Sequence, residues 1–410
     1  MTFPSVQLQD LALTQKGAIV SGPFGSSISA KYFVEDGIPV IRGNNLTIGG
    51  AKFVDEGFAY LTEEKASEFR NCEALIDDLI FTAAGSIGQV GIIPKDAKYP
   101  RYIISNKQLR VRVDSVRANP LFVYYWLTSP VMTKYIISQN NGGAVPLLNL
   151  GIIKKLPVPY PSVLVQDRIV AHIAAYDDLI ENNRRRAALL EQSARLLYRE
   201  WFVHLRFPGH EHVKVVDGVP EGWERKPLSS LAEINARSLH GKHDGEIEYI
   251  DIASVTTGSI NESTAYRFSD APSRARRVVR HGDIIWSCVR PNRASYAMVW
   301  QPIDNLIAST GFCVISPMRL PPTYAYFALS TKDFIGYLTS NAKGAAYPAV
   351  VASDFEKYEI LVPSTSVLSD FRAATETSFD MIETLKRQNE KLRQARDLLL
   401  PRLMSGELAV

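Results

Sequence analysis

The chain carries much of its own sequence twice. Residues 142–162, GGAVPLLNLGIIKKLPVPYPS, align with residues 344–364, GAAYPAVVASDFEKYEILVPS. Pro146 meets Pro348, Lys155 meets Lys357, and Pro161 and Ser162 meet Pro363 and Ser364, all at an offset of 202. The same offset pairs Pro120 with Pro322, Tyr124 with Tyr326 and Tyr135 with Tyr337 upstream, and Ile180 with Ile382 and Leu196 with Leu398 downstream. A register held over about 80 residues, at close to half of the 410 present, identifies a tandem duplication. Nearer the start of each half the register drifts. Leu8 and Leu11 match Leu228 and Leu231 at an offset of 220, and DLIF at 78–81 matches DIIW at 283–286 at 205. The front of each half has gained and lost loops, which suits a scaffold whose loops carry variable function.

Each half divides into a globular part and a helix. From Ile169 the apolar positions run Ile169, Ile173, Tyr176, Ile180, Asn183, Ala187, Leu190, Ala194, Leu197 and Trp201. Spacing that alternates four and three over this length is a coiled-coil seam. The copy reads Phe371, Thr375, Ser378, Ile382, Leu385, Asn389, Leu392, Arg396, Leu399 and Leu403, firm in its middle and poorer at both ends. Pro401 is expected to end or kink it near Leu400. Two such seams pack most simply on each other, antiparallel, with Asn183 and Asn389 fixing the register. The alternative is that each helix packs on its own globular neighbour. A helix of this length spans about 55 Å and would hold the two globular parts far apart. Short β-prone runs fill those parts, among them IPVIRG (38–43), DLIFTA (78–83), QLRVRV (108–113), GDIIWSCV (282–289) and GFCVIS (311–316). A short helix is expected over 121–138 and its copy over 324–340. The predicted division is a globular segment at 1–164, a helix at 165–205, a second globular segment at 206–366 beginning with a linker at 206–228, and a helix at 367–410.

Composition excludes several classes. The chain is 46% hydrophobic and 22% charged, which is ordinary globular usage. It has no run of about 18 apolar residues, and its first residues lack the basic-then-apolar pattern of a secretory signal. Three cysteines without a C-x-x-C pair fit a reducing, cytoplasmic setting. A phosphate-binding G-x-x-x-x-G-K-[ST] loop is missing, as is the Asn/Asp-Pro-Pro-aromatic motif of amino-methyltransferases. The glycines of GSIGQVG (85–91) read as turn glycines, and Ser86 among them is only a distant mimic of a nucleophile elbow. Asp55, Glu63 and Lys65 could be forced into a nuclease pattern but belong with solvated surface charge. His210, His212, His240 and His243 lie in polar loops without a companion cluster, so metal binding is not expected. The Asp177, Asp178 pair reads as a solvated helix face.

A formal net charge of +3 does not by itself indicate nucleic acid, so the distribution of charge carries that reading. Seven arginines lie between 267 and 293, namely Arg267, Arg274, Arg276, Arg277, Arg280, Arg290 and Arg293, opposed only by Asp270 and Asp283. The arginine fork suits phosphates and the O6/N7 edge of guanine, and asparagine, here Asn292, can pair two-fold with adenine. The first half offers Arg42, Asn44 and Asn45 at the end of one predicted strand and Lys107, Arg110 and Arg112 in another. The loop SGPFGS (21–26), with Ser21 and Ser26, can approach a phosphate backbone. Asn140 and Asn141, with Lys343, Gly344 and Tyr347 in the copy, form polar loops around the shared proline. If Arg290 or Asn292 pairs with a base, replacing it costs about 1–3 kcal/mol.

These residues, in this order, resemble the specificity subunit of type I restriction–modification systems. The resemblance covers essentially the whole chain and is carried by SGPFGS (21–26), GIPVIRGNNL (37–46), DLIFT (78–82) with GSIG (85–88), and LLYREWF (196–202). In the second half it is carried by APSRAR (271–276), GDIIW (282–286), RPN (290–292), STGF (309–312), GAAYP (344–348) and RDLLLPRLMSGE (396–407). It implies an α+β protein: two β-rich target-recognition domains separated by two long antiparallel coiled-coil helices, with pseudo-twofold internal repeat. Each domain would read one half of an interrupted, asymmetric site in double-stranded DNA. The helices, with Ile173, Ile180, Asn183, Leu190, Leu197, Ile382, Leu385, Asn389, Leu392 and Leu399 at their interface, would set the gap and dock two methyltransferase subunits. Motor–nuclease subunits would join for restriction. S-adenosylmethionine, ATP and magnesium would belong to those partners, and this chain would be non-catalytic. The weak seam at Thr375, Ser378 and Arg396 departs from the pattern and leaves the extent of the second helix open. A DNA-modifying enzyme with an unrecognised site and a protein-only adaptor are the competing readings.

Overall fold

The computed structural model describes residues 3–140, 145–239, 241 and 245–408. The chain divides into two compact units, residues 1–181 with 389–410 and residues 182–388. The division runs through both long helices and not at the ends that the sequence suggests. Each unit therefore owns one half of each helix.

Unit 1 contains strands β1 (Ser5–Gln7), β2 (Ile19–Ser21), β3 (Ile38–Ile41), β4 (Ala59–Leu61), β5 (Glu73–Ala74), β6 (Leu79–Thr82), β7 (Val90–Ile92), β8 (Tyr102–Ile104), β9 (Gln108–Val111) and β10 (Pro157–Pro159). They form one sheet ordered β2-β9-β6-β7, a second ordered β4-β3-β8-β5, and the pair β1-β10. Unit 2 contains β11 (Val215–Val216), β12 (Val219–Pro220), β13 (Glu224–Pro227), β14 (Ala232–Ile234), β15 (Glu246–Ile250), β16 (Val255–Thr256), β17 (Ser259–Ile260), β18 (Thr264–Arg267), β19 (Ala275–Val278), β20 (Ile284–Ser287), β21 (Tyr296–Met298), β22 (Leu306–Ser309), β23 (Phe312–Pro317) and β24 (Glu359–Val362). Its sheets run β14-β23-β20-β21 and β18-β15-β22-β19, with β13 on β24. The two orders match strand for strand, down to one parallel pair in each second sheet, β3 with β8 and β15 with β22. The repeat read from the sequence is thus a repeat of topology. The 220 offset also holds: Leu8, Leu11, Leu228 and Leu231 are all buried in matching short turns.

Some boundaries differ from expectation. The single helix expected over 121–138 is two, Pro120–Thr128 and Pro130–Ser138, because Pro130 cannot continue the first and Ser129 caps the second. Its copy also splits, into Pro322–Ala328 and Lys332–Asn341, with Thr331 as the cap. The stretch 206–228 is no plain linker, since it contains the β11–β12 hairpin and ends in β13. The long helices span Val163–Tyr198 and Thr365–Met404. The second passes through Pro401, where an end or a kink is expected. Proline there removes one backbone donor in the last turn, and Leu400, Leu403 and Met404 are buried in the unit 1 core with Ile169 and Ile173, which holds that turn in place.

In both units the helix halves pair antiparallel. In unit 1, Asn389 Nδ2 donates to the Ile180 carbonyl at 3.1 Å and Arg396 Nη1 meets Asp177 Oδ1 at 2.8 Å, so one helix descends as the other climbs. In unit 2, Asn183 Nδ2 donates to Gln388 Oε1 at 3.4 Å, while Tyr198 and Phe371 lie ring to ring at 6.2 Å. Ile173, Ile180, Ile382 and Leu385 are buried, and Leu190, Leu197, Leu392 and Leu399 are half-buried. The weak seam positions have partners. Thr375 is fully buried and shares a hydrogen bond with Thr323 Oγ1 at 2.8 Å, and Arg396 is held by Asp177. Each helix half packs on a globular core as well as on its partner helix, so the two arrangements weighed from the sequence coexist.

Each main sheet is anchored by a buried aspartate just before its third listed strand. Asp78, 1% exposed, takes Arg112 at 2.7 Å and the Leu75 amide at 2.8 Å. Asp283, 3% exposed, takes Arg237 at 2.7 Å and the Arg280 amide at 2.7 Å. Removing one member of a buried pair strands the other charge. Asp283→Ala is expected to destabilise by about 3–5 kcal/mol, read as a lower urea midpoint. A change under about 1 kcal/mol would place the pair among weak surface contacts.

Candidate nucleic-acid interface

The loops that the sequence singles out converge at one end of each main sheet. In unit 1 these are the loop after β2, the β8–β9 turn, the β6–β7 loop and the segment 145–148. Backbone hydrogen bonds hold them together. Gly22 N donates to Gln108 O at 2.9 Å, Ala83 N to Lys107 O at 2.7 Å, Leu148 N to Ala83 O at 2.7 Å and Gly85 N to Pro146 O at 3.1 Å. A Cβ on Gly22 would collide with the Ser105 carbonyl, so that loop can lie this close only with glycine. Asn106 Nδ2 adds a bond to Gly25 O at 3.2 Å. Ser21, Ser26, Ser86 and Lys107 all sit exposed on this end.

Unit 2 repeats three of these bonds. Cys288 N donates to Gly311 O at 2.9 Å, Val350 N to Cys288 O at 2.9 Å and Arg290 N to Pro348 O at 2.7 Å. The loop after β20 then turns through Pro291–Arg293 between two left-handed residues, Arg290 (φ 51°) and Ala294 (φ 50°). Asn292 and Arg293 are exposed at its tip. Lys343 is exposed on the facing segment, and Tyr347 is 69% exposed. The Arg290 guanidinium lies over the Tyr347 ring, 4.7 Å from its centre. Arg274 joins this end through its carbonyl, which accepts from Thr310 N at 2.8 Å. Among the described residues, Arg274, Arg290, Arg293 and Lys343 have no ion-pair partner, so their charge is available to a ligand.

Other residues expected at the interface are committed elsewhere. Asn45 is fully buried; its side chain accepts from Arg42 N and donates to the carbonyls of Val54 and Glu56, which staples the loop 46–57. Arg110 is 3% exposed, bound to Gly17 O and 3.5 Å from Asp78, and burial pushes its guanidinium below the usual arginine range. Both faces of β9 are covered, so the Arg110 side chain is enclosed within unit 1. These two are structural residues. Arg42 and Asn44 share the Gly57 carbonyl and keep part of their surface at the loop end. Arg276 lies over Phe268 at 4.6 Å and Arg277 donates to Ser238 Oγ at 3.2 Å, so both turn onto the protein. Asn141 lies outside the described residues, as do His240 and His243.

Two side chains stand differently from what the sequence indicates. Phe24, in the middle of SGPFGS, is 95% exposed on the loop between Gly22 and Gly25. Asp177 is no solvated helix residue: it accepts from Tyr125 Oη at 2.7 Å and pairs with Arg396 and with Lys52 at 3.3 Å, tying the helix pair to the loop 46–57. The signal for Phe24 is an apolar residue between Pro23 and Gly25 in a turn. The sequence holds no signal for Asp177, because its partners are distant in the chain.

The candidates for other chemistry do not assemble. Asp55 serves Tyr102 Oη and Lys98 N, Glu63 pairs with Arg101, and Lys65 pairs with Glu68. Gly85 and Gly88 have φ of 88° and 96°, as turn glycines do. Among the described residues no group of three or more His, Cys, Asp or Glu is placed to hold a metal ion, and no helix is long and apolar enough to cross a membrane.

The model of the type I restriction modification DNA specificity domain matches the chain twice, over residues 13–192 and 220–392. The chain belongs to that family. It is 24% identical over 407 residues to the type I restriction enzyme MjaIX specificity subunit of Methanocaldococcus jannaschii, covering 96% of this chain and 92% of the relative. It is 24% identical over 386 residues to the type I restriction enzyme HindI specificity subunit of Haemophilus influenzae, covering 76% and 83%. Its fold is similar to the crystal structure of the type I restriction–modification S subunit from M. genitalium, at a TM-score of 0.54 and 15% identity, covering 98% and 96%.

Burial pushes the Cys288 thiol, beside the unit 2 loops, up to about 11, against the opposing pull of Arg277; burial also raises Cys313. Folding therefore favours protonated Cys288. That contribution is complete below about pH 8.5 and is lost as pH rises through the folded value. At pH 8 alkylation of Cys288 is expected to run on the order of a hundredfold slower in the folded chain than in urea. Equal rates would mean that the loop end is open to solvent.

Proposed function

We propose that this chain is the non-catalytic sequence reader of a type I restriction–modification complex. Each unit takes one half of an interrupted, asymmetric site in double-stranded DNA. The helix pair sets the gap and docks two methyltransferase subunits, with motor–nuclease subunits joining for restriction. On this reading S-adenosylmethionine, ATP and magnesium belong to the partners, and the complex works in the cytoplasm.

The observation that carries the proposal is the duplicated loop end. The same backbone bonds build the same platform twice, while the side chains on the two platforms differ. A repeated frame with changed contacts is what reading two different half-sites requires. Exposed Arg274, Arg293 and Lys343 would bind phosphates and supply salt-dependent affinity, and polar side chains at base edges would supply the sequence choice. Two readers on one scaffold make the second contact intramolecular, so modest half-site affinities combine.

In complex with the methyltransferase, replacing Arg293 or Lys343 by alanine is expected to weaken binding to all duplexes alike. It should lower the slope of log K against log salt by about 1 per residue, measured by fluorescence anisotropy. Salt-insensitive binding, or none, would favour a protein adaptor over a DNA reader. The pairings Asn183 to Gln388 and Asn389 to Ile180 mean that the helices must be lengthened together. One heptad added to each, within 182–183 and 388–389, lengthens the pair by about 10 Å. The preferred gap should grow by roughly three base pairs with the half-sites unchanged. An unchanged gap would remove the helices as the ruler.

A further inference from the structure

We propose that Arg290, stacked on Tyr347, reads a guanine in the half-site taken by unit 2, and that glycine at the matching position leaves unit 1 without that contact. The proposal rests on the DNA-reading function above and assigns one determinant of its asymmetry.

The matching position is fixed by backbone hydrogen bonds. Gly85 N donates to Pro146 O and Arg290 N to Pro348 O; Leu148 N donates to Ala83 O and Val350 N to Cys288 O; Ala83 N donates to Lys107 O and Cys288 N to Gly311 O. Gly85 and Arg290 therefore occupy one place in the repeated frame. The backbone there is left-handed, with φ of 88° at Gly85 and 51° at Arg290. Glycine adopts this conformation freely, whereas a side chain bears a steric cost. Unit 2 carries that cost with arginine, a long side chain at the rim of the platform. A non-glycine residue held in this region is a pointer to function, since packing alone would be better served by glycine.

The arginine is also oriented. Its guanidinium lies over the Tyr347 ring at 4.7 Å, and Nη2 reaches the Ala346 carbonyl only at 3.5 Å. The stack fixes the plane of the fork and leaves most of its donors unspent. An aligned planar fork matches the O6 and N7 acceptors of guanine in the major groove. The same fork could take a phosphate, and the test below separates the two. Tyr347 acts through Arg290 and is a positioning residue. Asn292, two residues along the same tip, is placed to meet a neighbouring base or the backbone.

The test uses the chain co-expressed with its methyltransferase in a host free of other methylation. Sequencing of modified bases gives the motif of the wild-type complex. Synthetic duplexes of that motif then carry 7-deazaguanine, which lacks the N7 acceptor, at one guanine at a time. Wild type is expected to lose binding about ten- to hundredfold at one guanine of the unit 2 half-site. Arg290→Gly should bind the natural and substituted duplexes equally and should methylate sites with any base at that position. Because glycine relieves the left-handed strain, its melting temperature should equal or exceed that of wild type, so misfolding would not account for the loss. Arg290→Lys, a point charge without the fork, should keep salt-dependent binding but relax the same position. Tyr347→Ala should weaken discrimination there while leaving the other positions intact.

Uniform loss at all duplexes in Arg290→Gly, with 7-deazaguanine tolerated throughout by wild type, would make Arg290 a phosphate contact and overturn the proposal. An unchanged motif in Arg290→Gly, or a unit 2 half-site with no guanine on either strand, would also overturn it. If the wild-type complex recognises no motif at all, the DNA-reading function itself fails, and the two failures are thereby distinguished.

Discussion

The contact on which this molecule depends is the antiparallel seam between two helix halves that lie about 200 residues apart in the chain. In unit 1 the last helix returns to bury Leu400, Leu403 and Met404 in the core begun by the first residues, and Asn389 closes the register on the Ile180 carbonyl. In unit 2, Tyr198, Phe202 and Phe371 join one aromatic core with Tyr324 and Phe327. Neither β-rich lobe is completed by its own repeat alone. A polar group buried in such a seam must find its partner or bear an unpaired donor, so Asn183 and Asn389 favour one register over its neighbours.

From that seam the rest follows in layers. Helix halves support short helices, these support the main sheet, and the sheet ends in loops locked by backbone hydrogen bonds. Asp177 links the layers in unit 1, with Arg396 and Tyr125 on one side and Lys52 on the loop 46–57 on the other. The loops can therefore vary in side chain while their backbone positions persist. A family of sequence readers needs that separation, because new specificity must come without refolding the scaffold.

Much of this was legible in the sequence, and the parts that were not have physical reasons. The 202 offset runs through Leu148, Ile153 and Val158 and their copies Val350, Phe355 and Ile360, all of them buried, and drifts nearer the start of each half, where loops differ in length. The heptads were readable because a helix seam repeats locally. The burial of Arg110 is not legible because β9 is covered on both faces, so alternation cannot distinguish an inward arginine from an outward one. Asn45 sits in RGNN beside exposed Asn44, and only the fold of residues 46–57 turns its amide inward. Thr375 and Arg396 looked like flaws in the seam because their partners, Thr323 and Asp177, lie 52 and 219 residues away. Pairings at such separations leave no local trace.

The central claim, that the loop end of each unit is the face that meets DNA, is tested most directly by site-specific photocrosslinking of the methyltransferase-bound complex to duplex DNA. A photoreactive side chain would replace Ser86 or Asn292 at the loop ends, and Val116 or Met318, exposed beyond the opposite ends of β9 and β23. Crosslinks from 86 and 292, with none from 116 and 318, are expected. Crosslinks from 116 and 318 alone would place DNA on the other end of each sheet and contradict the account.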